Sequence, residues 1–249
     1  MVSKSNIMNA RKSFLSIGLC ALLAAAVGGA QATPMSSLIE GGSITVGDKL
    51  FDRWTVTLNG GTGGIPADLT TLDVTGISDG GDLGLNFVFD PELKVNGAGS
   101  LAFTDLTFGF RVSVLDPNWA ITDNSLVLTG WELGWEGDGV NDLGVFISEN
   151  VGTVAGGNDL ASNAATRNVL NDVLSNDSLL SDTAAFAPQS QIFVTKNILV
   201  RAVDQTDRAS LISFEQRFSQ SPTQVPEPAS LTLVGIALAG LGFARMRKS

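Results

Sequence analysis

Strict alternation over residues 106–114 constrains the fold more than any other feature of this 249-residue chain. The apolar positions are Leu106, Phe108, Phe110, Val112 and Val114, and between them stand Thr107, Gly109, Arg111 and Ser113. A period of two is that of a β-strand with one buried face, because successive side chains point to opposite faces. We therefore predict that Phe108, Phe110 and Val112 lie inside a sheet protein and that Arg111 lies outside or at an edge.

Strand-like runs recur through most of the chain, separated by Gly, Asp and Asn. They cover residues 43–46, 51–58, 72–77, 83–89, 106–114, 121–133, 143–148, 191–203 and 209–218. Two breaks are expected between them, a glycine-rich turn at 59–66 and a strand end at Asp90-Pro91. Residues 159–182 are rich in Asn and Asp, which favour turns over helix interiors. We therefore expect short strands and turns there rather than a helix.

This succession of strands, with no sustained helical period, predicts an all-β protein. The predicted architecture is a single β-sandwich domain with a jelly-roll-like topology, spanning residues 43–218. Residues 33–42 are expected to be a loose lead-in, and residues 219–225 a polar linker to the C-terminal segment.

The N-terminus has the three parts of a secretory signal peptide. They are a basic start with Lys4, Arg11 and Lys12, an apolar run over residues 14–27, and the small-x-small triplet Ala30-Gln31-Ala32. We expect passage through the Sec translocon and removal of residues 1–32 by cleavage between Ala32 and Thr33. Cys20, the single cysteine, lies inside the apolar run and follows Leu19, where a lipoprotein signal has a small residue. Lipidation is therefore not expected.

The C-terminus also has three parts in a fixed order. They are Pro226-Glu227-Pro228, an uncharged run over residues 229–244, and a basic end with Arg245, Arg247 and Lys248. The run is short against the ~20 residues that usually span a membrane, but a snorkelling Arg245 extends it enough to cross a thin bilayer. Basic residues stay on the cytoplasmic side, so a transmembrane helix over 229–244 would place the Pro-Glu-Pro tripeptide outside.

These three parts resemble the PEP-CTERM sorting signal over residues 225–249. The resemblance implies recognition by exosortase, a membrane-embedded cysteine protease of Gram-negative bacteria that make exopolysaccharide. It also implies a transient anchor in the inner membrane, processing near the tripeptide, and release to the cell surface or the extracellular matrix. The phrases LTFGFRV, IFVTKNI and ISFEQRFSQ resemble the bodies of other PEP-CTERM proteins, whose role is unassigned.

Composition excludes most catalytic schemes for the predicted domain. The chain has no histidine and no tyrosine, and its one cysteine lies in the signal peptide. A Ser-His-Asp triad, a cysteine nucleophile and most zinc sites are therefore ruled out. A pair of carboxylates remains, as does a Ser-Lys dyad, although no serine near Lys49, Lys94 or Lys196 marks one. We expect a protein that is not an enzyme. The net charge of −10 argues against nucleic acid as a partner and favours cations.

Two groups of residues could bind ligands. Glu136, Asp138, Asn141 and Asp142 place four oxygen-bearing side chains within a short glycine-containing loop, which suits calcium as a cofactor. The alternative is an acidic, solvated turn. Trp131 and Trp135 flank a turn and could stack on sugars, although core packing is the commoner fate of tryptophan in a sandwich.

These observations predict an exported surface or matrix protein that exosortase sorts and processes. Its domain is expected to be a structural or interaction component associated with exopolysaccharide. A carbohydrate-binding module is the alternative, and a carboxylate-dependent glycoside hydrolase is the second alternative.

Overall fold

The computed structural model describes residues 31–63, 65–78, 82–137, 141–175 and 179–223, and these form two antiparallel β-sheets. This confirms the all-β class, and the facing sheets are the architecture expected of a sandwich. The predicted signal peptide up to residue 30 and the C-terminal segment from residue 224 lie outside the described residues. Within the described residues, no helix is long and apolar enough to cross a membrane.

The elements follow one another along the chain with one short helix among the strands. They are β1 (Thr33–Pro34), α1 (Met35–Ile39), β2 (Ile44–Val46), β3 (Lys49–Thr62), β4 (Leu72–Ile77), β5 (Leu83–Asn96), β6 (Ala102–Val114), β7 (Trp119–Gly134), β8 (Asp142–Gly152), β9 (Ala161–Leu170), β10 (Val173–Leu174), β11 (Ser181–Gln189), β12 (Gln191–Ala202), β13 (Arg208–Phe218) and β14 (Gln220–Pro222). The first sheet has the order β1-β4-β5-β13-β7-β11, with β14 also on β7, and the second has the order β10-β9-β8-β12-β6-β3-β2.

The alternating segment lies in β6, an inner strand of the second sheet between β12 and β3. Phe108, Phe110 and Val112 are buried there, as predicted. Arg111 points to the outer face, where it forms a two-point ion pair with Asp52 of β3. Its Nε donates to Oδ1 at 2.8 Å and its Nη2 donates to Oδ2 at 2.6 Å.

Aromatic rings from both sheets fill the centre of the core. Phe87 of β5 stacks on Phe214 of β13, with ring centroids 4.5 Å apart, and both belong to the first sheet. Trp54 of β3 stacks on Phe110 at 4.6 Å in the second sheet. The two pairs meet where Phe87 approaches the ring of Phe110 at 6.3 Å, so this cluster joins the sheets.

The two flanks of the domain are more ordered than the sequence indicated. The expected loose lead-in is wrong, because residues 33–39 form β1 and α1, and Met35 and Leu38 are fully buried. Thr33 pairs with Val74, so cleavage after Ala32 would leave β1 complete. The expected linker is also partly structured, because β14 pairs with β7. Each of these segments is too short to show a periodic pattern, so the sequence alone did not reveal them.

Two predicted breaks lie inside strands. Residues 59–62 of the glycine-rich segment continue β3, and β5 runs through Asp90-Pro91 with a local irregularity in its pairing with β13. The Asn-rich region 159–182 contains β9, β10 and the start of β11, as expected for strands rather than a helix.

Candidate functional site

The outer face of the second sheet carries a groove of about 510 Å³. β3, β6 and β12 form its floor, and the turn that follows β8 forms one wall. The groove is lined by Arg53, Thr55, Thr57, Gly109, Phe110, Ala155, Gly156, Phe193, Val194 and Thr195. Its lining therefore comes from four separate parts of the chain.

Irregular pairing of β3 shapes the groove. The register against β6 shifts between Asp52 and Thr55 and again between Val56 and Leu58. At the first shift Arg53 adopts a φ of 55°, in the left-handed region, and its side chain is exposed while Trp54 remains buried. Bulges of this kind re-aim a side chain from one face of a sheet to the other. This one places a guanidinium at the edge of the groove.

Gly109 keeps the floor of the groove open. A Cβ at this position would lie 3.6 Å from the hydroxyl oxygens of both Thr55 and Thr195, and 3.0 Å from the carbonyl oxygen of Val194. Any larger residue would therefore fill the space between the two hydroxyls. Glycine in a strand often marks such a close approach by another group.

Three of the four polar side chains that line the groove are unpaired within the described chain. Arg53, Thr55 and Thr195 make no side-chain hydrogen bond or ion pair with any other described residue. Thr57 differs, because its hydroxyl donates to the carbonyl oxygen of Thr107 at 3.4 Å. Half-buried Phe193 adds an apolar surface beside them. The groove therefore offers one cation, two hydroxyls and an aromatic ring to a ligand.

A second hollow of about 330 Å³ lies on the same face, on the other side of β12. The amide of Asn197 and the guanidinium of Arg201 already have partners, whereas the hydroxyls of Ser148 and Thr166 have none among the described residues. The Nδ2 of Asn197 donates to Asp105 Oδ1 at 2.5 Å and to Thr107 Oγ1 at 2.8 Å. Arg201 donates to Asp142 Oδ1 at 2.6 Å, and its guanidinium lies 4.9 Å from the ring centre of Phe146. The cation of this hollow is therefore less available to a ligand than Arg53 of the groove.

Two described residues of the predicted calcium loop, Asn141 and Asp142, already have partners. Asn141 is buried, and its Nδ2 donates to the carbonyl oxygen of Glu136 at 2.7 Å and also contacts Asp172 Oδ1. Asp142 gives one carboxylate oxygen to Arg201. Asp138 lies outside the described residues. Among those that are described, no three acidic side chains cluster as metal ligands, and calcium binding here stays a prediction.

The two tryptophans singled out for sugar stacking belong to the first sheet. Trp131 in β7 is half-buried against the core, with the Arg167 guanidinium 5.9 Å from its ring centre. Trp135, just after β7, is 36% exposed. Neither lines the groove on the second sheet, and sugar stacking on them stays a prediction. Sequence reasoning missed the groove, because its residues converge only once the register of β3 is known.

Comparison with known proteins confirms the sorting signal. Residues 224–248 match the family model of the PEP-CTERM protein-sorting motif, so the chain carries this motif. The match includes Pro226, Glu227 and Pro228 and the basic residues Arg245, Arg247 and Lys248, all beyond the described residues. No curated protein matches the chain.

One solved structure that resembles the chain is that of TmCBM61 in complex with beta-1,4-galactotriose. It is 16% identical, with 69% of this chain and 89% of that chain covered and a TM-score of 0.26. A likeness this weak carries no argument about the ligand of the present protein.

Proposed function

We propose that this chain is an exported surface or matrix protein, sorted by exosortase, whose β-domain binds extracellular polysaccharide in the groove of its second sheet. The sorting half rests on the PEP-CTERM motif at residues 224–248 and on the signal-like N-terminus. The binding half rests on the groove.

The unpaired state of Arg53, Thr55 and Thr195 is the observation that carries the binding proposal. Polar side chains that meet in one concavity without partners are suited to hydrogen-bond a ligand. A sugar ring presents hydroxyls around its edge and an apolar face, which correspond to the threonine hydroxyls and to Phe193. The volume of about 510 Å³ falls in the usual range for ligand sites.

Arg53 also indicates which polysaccharides should bind best. The chain has a net charge of −10, yet this exposed arginine has no acidic partner among the described residues. A guanidinium binds a carboxylate through two parallel hydrogen bonds, which are stronger than neutral ones. We therefore expect polysaccharides that contain uronic acids to bind more tightly than neutral ones.

Binding is favoured over hydrolysis by what lines the two hollows. Glycoside hydrolysis needs two carboxyl groups that flank one bond. None of the described residues lining the groove or the second hollow is Asp or Glu. Glu149 follows the β8 residues that line the second hollow. Its side chain is buried on the inner face, however, and is inaccessible to a polymer.

The test measures binding of the protein recovered from the surface of its native host. Affinity electrophoresis or calorimetry with the host's own exopolysaccharide, a polyuronate and a neutral glucan would be compared for the wild type and three variants. Arg53→Ala should weaken polyuronate binding about tenfold, as expected for the loss of one charge-assisted contact. Thr55→Ala combined with Thr195→Ala should weaken binding of all the ligands recognised.

Arg208→Ala is the matched control, because Arg208 is also an exposed arginine but begins β13 of the first sheet. It should leave every affinity unchanged. An equal loss of polyuronate affinity in Arg53→Ala and Arg208→Ala would mean that overall charge, rather than the groove, governs binding. Absence of binding to any polysaccharide by the wild-type protein would refute the proposal.

A further inference from the structure

Four polar side chains meet inside the core, between the two sheets. Glu149 of β8 and Lys196 of β12 come from the second sheet, and Asn124 of β7 and Gln216 of β13 come from the first. All four are at most 1% exposed. Residues of this kind are almost never fully buried unless they are paired.

Their hydrogen bonds form one chain across the interface. The Nζ of Lys196 donates to Glu149 Oε2 and to Gln216 Oε1. The Nδ2 of Asn124 donates to Glu149 Oε1. The Nε2 of Gln216 and the Oδ1 of Asn124 are buried without a hydrogen-bond partner among the described residues. An ion pair with such unsatisfied neighbours contributes little to stability, so the cluster calls for another explanation.

The surroundings of the cluster are apolar. The Nζ of Lys196 lies 5.4 Å from the ring centre of Phe214, and Phe108 is its neighbour in register on β6. Burial lowers the pKa of Lys196 from its ordinary value, while the Glu149 carboxylate opposes that shift. The neutral amine, which is the nucleophilic form, is therefore easier to reach than for a lysine in water.

We propose that Lys196 and Gln216 become joined by an intramolecular isopeptide bond, with Glu149 as the group that transfers protons. The amine and the carboxamide are already in hydrogen-bond contact, and the carboxylate contacts the same amine. Holding reactants in this way replaces an encounter in solution by a step within one molecule. Because water is excluded from the core, hydrolysis of the Gln216 carboxamide does not compete with attack by the amine.

The reaction is balanced without any further reactant. The ammonium of Lys196 first gives a proton to Glu149, and the lone pair of the neutral Nζ then forms a bond to Cδ of Gln216. Glu149 returns that proton to Nε2 as the Cδ–Nε2 bond breaks, so that ammonia leaves. The attacking nitrogen finally loses its second proton to Glu149. The products are an amide, ammonia and a protonated Glu149, and no oxidant or reductant takes part.

The product removes the buried charges and links the sheets. A neutral amide replaces the ammonium, and Glu149 is left as a neutral acid, so the cost of burying an ion pair disappears. The bond joins β12 of the second sheet to β13 of the first. The sequence has no cysteine outside residue 20, so this bond would give the domain the covalent cross-link that a disulfide supplies in other exported proteins.

A second lysine in the same core provides an internal comparison. Lys49 is also fully buried, and its Nζ donates to Gln220 Oε1 at 2.7 Å. Its nearest carboxylate is Asp48, which lies at 3.7 Å and is 24% exposed. Because this pair lacks a buried carboxylate in hydrogen-bond contact, we expect Lys49 and Gln220 to remain unlinked.

The decisive measurement is the mass of the wild-type protein after denaturation. The measured mass should be lower than the mass calculated from the sequence by that of one ammonia molecule. Trypsin should fail to cut after Lys196, so the peptide 197–201 should be absent, and a branched peptide should join residues 168–201 to residues 209–217. Recovery of 197–201 and 209–217 as separate peptides in full yield would overturn the proposal. Two other outcomes would overturn the choice of Gln216. One is the loss of a water molecule with Lys196 linked to Glu149, and the other is a link between Lys196 and Asn124.

Variants test the role of Glu149. Lys196→Met should restore the full mass, and Lys49→Met, the matched control, should still lose one ammonia. Glu149→Gln should keep the full mass while retaining the circular dichroism of the β-domain. A folded Glu149→Gln protein that is still cross-linked would refute the role of the carboxylate. If that variant does not fold, Glu149→Asp provides the comparison, and it should cross-link more slowly than the wild type.

Discussion

Replacing Phe87 by alanine should remove the centre of the core. Phe87 is fully buried, and its ring stacks on Phe214 with an interplanar angle of 8° and a centroid distance of 4.5 Å. It also lies 5.7 Å from the ring of Phe108 and 6.4 Å from that of Trp54. Its neighbours come from three other strands and from both sheets, so they cannot collapse together into the space left behind.

The structure gives an estimate of the loss. Truncating a buried Phe to Ala costs roughly 3–5 kcal/mol when the site cannot relax, and the lost aromatic pairing contributes about 1 kcal/mol of this. We expect the upper half of that range, roughly 4–5 kcal/mol of unfolding free energy. This is a large share of the roughly 5–15 kcal/mol that stabilises a typical domain. Phe87→Leu, which leaves a smaller cavity, should cost less than half as much.

Urea unfolding followed by tryptophan fluorescence measures the loss of unfolding free energy in both Phe87 variants, because Trp54 lies in the same cluster. Phe193→Ala is the control, since Phe193 is half-buried on the outer face of the second sheet. It should cost less than about 1.5 kcal/mol. A loss below about 2 kcal/mol for Phe87→Ala, with an unchanged dependence on urea, would refute the view that this ring holds the two sheets together.

Two further predictions concern processing and pH. Mass spectrometry of surface protein from the native host should show that the segment after the Pro-Glu-Pro tripeptide has been removed, and dominant recovery of intact peptides spanning Ser221 to Ala244 would contradict this. Burial lowers the pKa of Lys49 below its ordinary 10.5, against the opposing charge of Asp48. The unfolded chain therefore binds more protons between the two pKa values, so the unfolding free energy should rise with pH up to about 10.5. Lys49→Met should flatten this rise in urea titrations, and an unchanged slope would contradict the assignment.

Much of the fold could be predicted from short-range patterns. The alternation that identified Phe108 and Phe110 as core residues reflects burial of one face of a strand, and this depends only on neighbouring positions. Met35 and Leu38 were missed because α1 has only five residues, and its place in the core depends on contacts with distant strands. The direction of Arg53 depends on a register shift, which no local pattern reveals.

The buried cluster leaves a signal in the sequence. Lys196 occupies an apolar position of the alternating run Ile192, Val194, Lys196, Ile198 and Val200. Glu149 follows Leu143, Val145 and Ile147 in the same way, and Gln216 stands between Phe214 and Phe218. A polar residue in phase with the buried face predicts a partner from another strand. Which residues pair with each other depends on how the two sheets pack face to face, and this can be known only from the structure.

The pairing of β14 limits how far the Pro-Glu-Pro tripeptide can stand from the folded domain. The last backbone contact of the described chain joins Thr223 N to the carbonyl oxygen of Asn118 at 2.7 Å, and the sorting motif begins at the next residue. Even fully extended, the three residues from Thr223 to Pro226 span only about 10 Å. The tripeptide can therefore lie no farther than about 10 Å from the folded domain. A membrane-bound protease that acts at the tripeptide must either work against the end of the sandwich that carries β14, or peel this strand away from β7 to gain reach.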